Sequence, residues 1–147
     1  MGLIYQTQVL WAQIDANAHL RHSAYADIAA QARIAMLEEA GLKFDIFEEI
    51  KIGPILFREE LLYLREVRMN DMVKVVTEIT KSRPDGSRWS IRHELYRGDG
   101  IKAAIVNVDG AWIDVIKRKL TALPEAYAAA FMKVPKSADY EEAAEKG

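Results

Sequence analysis

The chain of 147 residues has no cysteine. A disulfide framework, a thiolate nucleophile and a cysteine-ligated zinc site are therefore excluded. It has no excess of one charge: 20 basic against 22 acidic residues, a net charge of -2. That balance offers no bulk electrostatic reason to bind nucleic acid or an acidic membrane surface. No apolar run approaches membrane-spanning length. The N-terminus, M-G-L-I-Y-Q-T-Q-V-L, lacks the basic start and apolar run of a signal peptide. Gln6 and Thr7 do not put Ser or Thr where myristoylation needs it. A cytoplasmic protein without nucleic-acid or membrane partners is the simplest expectation.

Half of the residues are hydrophobic. The length suggests one domain, able to bury roughly two-thirds of its unfolded surface. There is no internal repeat, low-complexity block or linker. Residues 1–135 are assigned to a single domain. Residues 136–147 are assigned to a polar, acidic-rich tail that frays or forms a short surface helix.

Residues 3–13 alternate, with Tyr5, Thr7, Val9 and Trp11 on one face, which reads as a strand. Over 23–40, Tyr25, Ile28, Ala29, Ala32, Met36, Leu37 and Ala40 form one helical stripe. Ser23 suits the N-cap, Asp27 the favourable end of the dipole, and Gly41 the C-terminal stop. About 18 residues at 1.5 Å each give a helix of roughly 27 Å. A loop containing Gly53-Pro54 follows. Strands are then expected at 55–66, 72–83, 88–97 and 101–116, the last bent at Gly110. Turns are expected at Pro84-Asp85-Gly86 and Gly98-Asp99-Gly100. Pro124 opens a short helix. Tight turns imply antiparallel neighbours. One helix cannot cover both faces of a five-stranded sheet, so the sheet must curl around it, leaving apolar surface that invites a partner subunit.

The segment D-A-N-A-H-L-R-H-S-A-Y, residues 15–25, holds two of the three histidines at the mouth of that helix. Free N–H groups of a helix's first turn favour negative charge, including the oxyanion of an acyl transfer. Asp15, on the same loop, can serve as nucleophile or general base for a carbonyl held there. The plainer alternatives are a turn or capping role for Asp15, a turn role for Asn17, a backbone-bonded loop histidine at His19, neighbour contacts for His22, and a core position for Tyr25. A metal site from Asp15, His19 and His22 matches no zinc spacing. A serine triad fails for want of a G-x-S-x-G elbow.

Residues 11–33, W-A-Q-I-D-A-N-A-H-L-R-H-S-A-Y-A-D-I-A-A-Q-A-R, resemble the hotdog-fold acyl-CoA thioesterases, in particular the 4-hydroxybenzoyl-CoA thioesterase-like group. That signature runs roughly D-x-D-x-x-G-H-V-N-N-x-x-Y, with A-R in the helix that follows. Asp15 matches the second aspartate, Asn17 and His19 stand at their usual positions, Tyr25 matches the tyrosine, and Ala32-Arg33 the A-R. The signature's first aspartate is replaced by Gln13, its glycine by Ala18, and its asparagines by Arg21 and His22.

The resemblance implies an α+β hotdog fold: a five-stranded antiparallel sheet curled around one long central helix, with a short C-terminal helix. It implies an acyl-CoA thioester hydrolase working without metal or other cofactor. Asp15 would be the catalytic nucleophile or base, and the backbone N–H near His22 the donor that polarises the carbonyl. Tyr25 would line the acyl pocket, with Asn17, His19 and Ser23 among the substrate-binding residues. Homodimers, pairing into homotetramers, would place the site at a subunit interface. CoA carries several negative charges, so basic groups should line its path. Arg83 and Arg88 flank one turn, and Lys117-Arg118-Lys119 form a run; each also reads as an ordinary solvated face. Two further readings stand beside this one. One is a hotdog enzyme acting on acyl groups held by an acyl carrier protein. The other is a non-catalytic acyl-ligand-binding dimer, motivated by the substitutions at Gln13, Ala18, Arg21 and His22.

Overall fold

The computed structural model describes residues 2–143. Strand β1 (Leu3–Gln8) ends earlier than the alternation suggests. The chain turns into a 3-10 turn over Trp11–Gln13, and Trp11 is 79% exposed rather than on the core face. Helix α1 (His22–Glu39) buries Tyr25, Ile28, Ala29, Ala32, Met36 and Leu37, the stripe read from the sequence. Its N-cap is Arg21, one position before His22, with no side-chain cap bond. Ser23 is thus inside the helix, and its Oγ accepts a hydrogen bond from Arg21 Nε at 3.0 Å. At the other end Gly41 (φ +88°) closes the helix: Leu42 N–H donates to the Leu37 carbonyl at 2.8 Å and Gly41 N–H to that of Glu38 at 3.0 Å. A positive φ of this kind is where glycine is at its least cost.

Helix α2 (Phe44–Ile50) was not anticipated. Strand β2 (Ile52–Tyr63) begins inside the expected Gly53-Pro54 loop. It lies at one edge of the sheet, where a proline's missing N–H breaks no interior ladder. Strands β3 (Met72–Ser82), β4 (Arg88–Tyr96) and β5 (Lys102–Asp114) follow, with β6 (Lys119–Thr121), helix α3 (Glu125–Met132) and β7 (Lys136–Glu142).

The main sheet has the order β1-β3-β4-β5-β2, all antiparallel. These are the five expected strands. Two short ones raise the total to seven. Strand β6 folds back on the end of β5, and β7 pairs in parallel with the end of β3 beyond β1. Residues 136–142, expected as tail, are therefore part of the sheet, while 144–147 lie outside the described residues. Both expected turns form, with Gly86 at φ +75° and Gly100 at φ +84°. The irregularity expected at Gly110 falls on the opposing strand, where Phe57 is the extra residue between Leu56 and Arg58. Gly110 has a different constraint: an added Cβ would stand 2.4 Å from the Trp89 ring and 2.5 Å from the Ile55 carbonyl oxygen.

The buried face of α1 packs on the sheet's concave face against Val73, Val75, Ile91, Leu95, Val106 and Val108. An aromatic cluster closes the end nearer the helix C-terminus. The Trp112 ring lies 5.3 Å from Phe131, 5.6 Å from Phe47 and 5.8 Å from Trp89. None of the described helices is long and apolar enough to cross a membrane.

Candidate active site at the mouth of helix α1

Residues 14–20 form a tight reversal. Ile14 bridges Leu20, Asp15 N–H donates to the His19 carbonyl at 2.9 Å, and Ala18 takes a left-handed conformation, φ +64°. Ala18 holds the place where the signature has glycine, and that φ explains why glycine suits it. Inside the reversal Asp15 Oδ1 accepts the backbone N–H groups of Asn17 (2.8 Å) and His19 (3.1 Å). The other oxygen, Oδ2, has no hydrogen-bond partner among the described residues. The His19 N–H is the main reason this carboxyl lies below its ordinary value. Desolvation opposes it, and the Asn17 N–H and the charge of His19 and His22 add to the lowering. At neutral pH the group is an ionised carboxylate with one oxygen tethered and one open.

The turn role expected for Asp15 is thus filled by Oδ1, within the reversal and not as the cap of α1, while Oδ2 stays open. Asn17 contributes its backbone N–H to the reversal. Gln13, in the position of the signature's first aspartate, ties down the preceding turn: its Oε1 accepts Leu10 N–H at 2.8 Å. Arg21 ties the reversal to the helix, its guanidinium donating to the Ala12 carbonyl and to Ser23. Beyond it, the backbone N–H groups of His22 and Ser23 make no hydrogen bond among the described residues. They open to solvent at the positive end of the helix dipole.

The floor of this mouth comes from segment 63–68, far from the 15–25 stretch in sequence. The Tyr63 ring lies 4.9 Å from His22 and meets Tyr25 edge-on at 5.1 Å. Its hydroxyl donates to the His22 carbonyl at 3.5 Å. Leu20 N–H donates to the Val67 carbonyl, His19 bridges Arg68, and His19 Nε2 meets Glu66 Oε2 at 2.8 Å. Hydrogen bonding from Arg68, then the charge of His19, holds the Glu66 carboxyl low. Tyr25 is buried, and that burial pushes its hydroxyl up, with Tyr63, Asp15 and Glu66 acting in the same direction. The signal available for Tyr63 was weak: an aromatic at the end of an alternating strand is usually a core or edge residue.

Not every expected site residue converges here. Tyr63 pairs with Ala104, whereas Arg88 pairs with Ala111. Seven residues of β5 separate these positions, roughly 23 Å. Arg83 and Arg88 close the β3–β4 turn, with Arg88 over the Phe57 ring at 5.1 Å, and the 117–119 run caps the same end of β5. Within one chain, the basic candidates and the Asp15 group occupy opposite ends of the sheet. Among the described residues no group of three or more His, Asp or Glu side chains gathers as a metal site.

Comparison with known proteins bears on this geometry. The family model described as the thioesterase-like superfamily matches residues 9–131. No curated protein matches the chain. Among solved structures, a hypothetical protein of Staphylococcus aureus in complex with CoA superposes with a TM-score of 0.85 at 21% identity, covering 96% of this chain and 90% of that one. A DHNA-CoA thioesterase from Staphylococcus aureus gives 0.82 at 20% identity, covering 88% of each chain. A 1,4-dihydroxy-2-naphthoyl-CoA thioesterase from Synechocystis gives 0.79 at 16% identity, covering 90% and 96%.

Proposed function

The chain belongs to the thioesterase-like superfamily, and from that premise we propose that it hydrolyses acyl-CoA thioesters at the mouth of helix α1. The observation that carries this reading is the pairing of an open carboxylate oxygen on Asp15 with free N–H groups at His22 and Ser23. A thioester carbonyl seated between them can be attacked by Asp15 itself or by a water whose proton Asp15 takes. The oxyanion develops against the His22 and Ser23 N–H groups. Where water attacks, collapse breaks the C–S bond and CoA leaves as the thiol with the proton that Asp15 took; where Asp15 attacks, CoA leaves as the thiolate, and water then hydrolyses the acyl–Asp15 anhydride, releasing the acid and restoring the carboxylate. His22 acts through its backbone, while its ring is held by Tyr63. Asn17 and His19 fix the carboxylate, and Tyr25 forms the wall beside the acyl group.

A second copy fits this reading. The outer edge of β2 is unpaired among the described residues, and it and the following residue expose Leu56, Phe57, Leu62, Tyr63 and Leu64. Such an edge invites another strand. Antiparallel pairing of two β2 strands would set the Ile52 end of one copy beside the Tyr63 end of the other. Arg83 and Arg88 of one copy would then approach the other copy's Asp15, where CoA phosphates need partners.

The test is free-thiol release from short, long and aromatic acyl-CoAs, run beside Asp15→Asn. The asparagine oxygen still accepts the Asn17 and His19 N–H groups, so the fold should persist. The expected loss in kcat is 100-fold or more, in the range typical for a positioned base. Full activity of Asp15→Asn would refute the assignment. Turnover of the same acyl group only when it is held on an acyl carrier protein would move the substrate to that class. Ligand binding without turnover would support the non-catalytic reading.

A further inference from the structure

The basic run Lys117-Arg118-Lys119 takes no part in the site at the helix mouth. It sits on the hairpin that joins β5 to β6. Strand β6 occupies the edge of β5 beyond the end of β4, on the side away from β2. The hairpin therefore stands at the end of the sheet, off the β2 edge where a second copy would pair. Six consecutive residues, V-I-K-R-K-L over 115–120, are exposed. Ile116 in the turn is 71% exposed, with exposed Val115 and Leu120 on either side of it. Single exposed apolar residues are ordinary, but three on one hairpin end form a patch that invites contact. The same six residues hold three cations and no acid. None of the three makes an ion pair among the described residues, whereas Arg58, Arg68, Arg92, Arg97 and Lys102 all do. A chain of net charge -2 thus presents a local cluster of positive charge around an apolar tip.

The turn is also built to leave bulk water. Val115 N–H donates to the Lys51 carbonyl at 3.0 Å and Arg118 N–H to the Asp114 carbonyl at 2.8 Å. The N–H groups of Ile116 and Lys117 both donate to Asp114 Oδ1, each at 2.9 Å. The Lys117 N–H is the main reason the Asp114 carboxyl lies below its ordinary value. Every N–H of residues 115–118 therefore has a partner, and the turn can enter a less polar layer without stranding a donor. Cations alone would suit any polyanion. Single-stranded nucleic acid is held by rings that stack on its bases, and residues 115–120 have none. A layer of anionic lipid takes both components: the apolar side chains enter the headgroup boundary, and the long basic side chains reach the phosphates.

We propose that the β5–β6 hairpin docks the protein on an anionic lipid surface, with Ile116 entering the headgroup layer and Lys117, Arg118 and Lys119 on lipid phosphates. The contact is weak and reversible, because each cation strengthens it by only about 5-fold. Vesicle binding is read without turnover, so the proposal does not rest on thioester hydrolysis by Asp15.

The test is co-flotation of the full chain with vesicles of phosphatidylcholine and phosphatidylglycerol in equal parts, and with vesicles of phosphatidylcholine alone. It is repeated on Ile116→Asp, on Ile101→Asp, and on a neutralised variant carrying Lys117→Gln, Arg118→Asn and Lys119→Gln. Asparagine is chosen at 118 because it tolerates the left-handed φ of +58° there. Ile101, 44% exposed on the β4–β5 turn, receives the same change of charge away from the hairpin. The unaltered chain should float with the anionic vesicles and not with the neutral ones. Raising salt from about 0.1 M to about 1 M cuts the screening length from about 10 to about 3 Å and should release most of it. The neutralised variant should bind about 100-fold more weakly, Ile116→Asp at least about 10-fold more weakly, and Ile101→Asp like the unaltered chain. No flotation with anionic vesicles, equal flotation with both kinds, or unchanged binding in Ile116→Asp or in the neutralised variant would each overturn the proposal. So would a lower molar mass of Ile116→Asp by light scattering, which would assign the tip to a contact between copies. A raised KM for acyl-CoA in the neutralised variant with vesicle binding intact would assign the run to CoA and overturn it too. Should a variant fail to fold, the lipid and salt comparisons on the unaltered protein decide.

Discussion

His93 should make this protein sensitive to mild acid, well above the pH at which carboxylates titrate. Its side chain is fully buried, and its two ring nitrogens are engaged by Arg33 and Thr77. Burial first, then the Arg33 charge, lowers its pKa from 6.5 to about 3. In the unfolded chain the ring regains its ordinary value. A depressed folded-state pKa contributes stability that is complete above pH 6.5 and is lost as pH falls toward 3. At pH 5 the unfolded chain has taken up the proton and the folded one has not. That interval of 1.5 units below 6.5, at 1.36 kcal/mol per unit, removes about 2 kcal/mol. Such a loss is a sizeable fraction of an ordinary domain's 5–15 kcal/mol, and corresponds to a fall in Tm of roughly 4–8 °C. The lowered aspartates, among them Asp139 at about 2, release their contributions only below their unfolded value of 3.8. The window from pH 7 to 5 therefore isolates the imidazole from them. Urea unfolding at half-unit steps across that window, on the unaltered protein and on His93→Gln, gives the slope. The unaltered chain should lose stability at close to one proton per molecule below pH 6, and His93→Gln should lose this part of the slope whatever its starting stability. A flat profile in the unaltered protein, or the same slope in His93→Gln, would refute the claim that the folded state holds this ring neutral.

Two other substitutions probe the frame and the mouth. Gly110→Ala should destabilise by about 1–3 kcal/mol or more, as overpacking does, because the new methyl meets the Trp89 ring on one side and the Ile55 carbonyl on the other; an unchanged urea midpoint would show that the two strands yield freely. Tyr63→Ala removes the ring that lies against His22 and Tyr25; on the proposed mechanism KM for the preferred acyl-CoA should rise several-fold while kcat stays within about 3-fold, since no proton passes through Tyr63, and a collapse of kcat alone would assign it a chemical part.

The long helix and the five main strands were legible because their signals are local. A stripe at spacings of three and four defines the buried face of α1, and alternation with glycine-bearing turns defines β3, β4 and β5. The helix stop at Gly41 was legible for the same reason, since only the backbone within a few residues decides it. Asp15 too could be singled out, as a carboxylate just before a helix start. Its geometry could not. Which oxygen is tethered depends on the reversal closed by Ala18 and clamped by Arg21.

Other features rest on residues far apart in the chain. Strand β7 looked like tail because it is polar; it is ordered by pairing with β3, nearly 60 residues away. Pro54 looked like a loop signal, and only its place on a sheet edge makes it acceptable in a strand. Tyr63 and Glu66 reach the helix mouth because the β2–β3 connection is drawn under the 15–20 reversal. Arg33, His93 and Thr77 sit on α1, β4 and β3, and nothing in their spacing announces that they meet. Local periodicity determined which segments became helix or strand, because backbone torsions and one-sided burial act over a turn or two. Where charges meet, and which of them goes unpaired, was decided only when the sheet closed around the helix, because electrostatics follows distance in space and not along the chain.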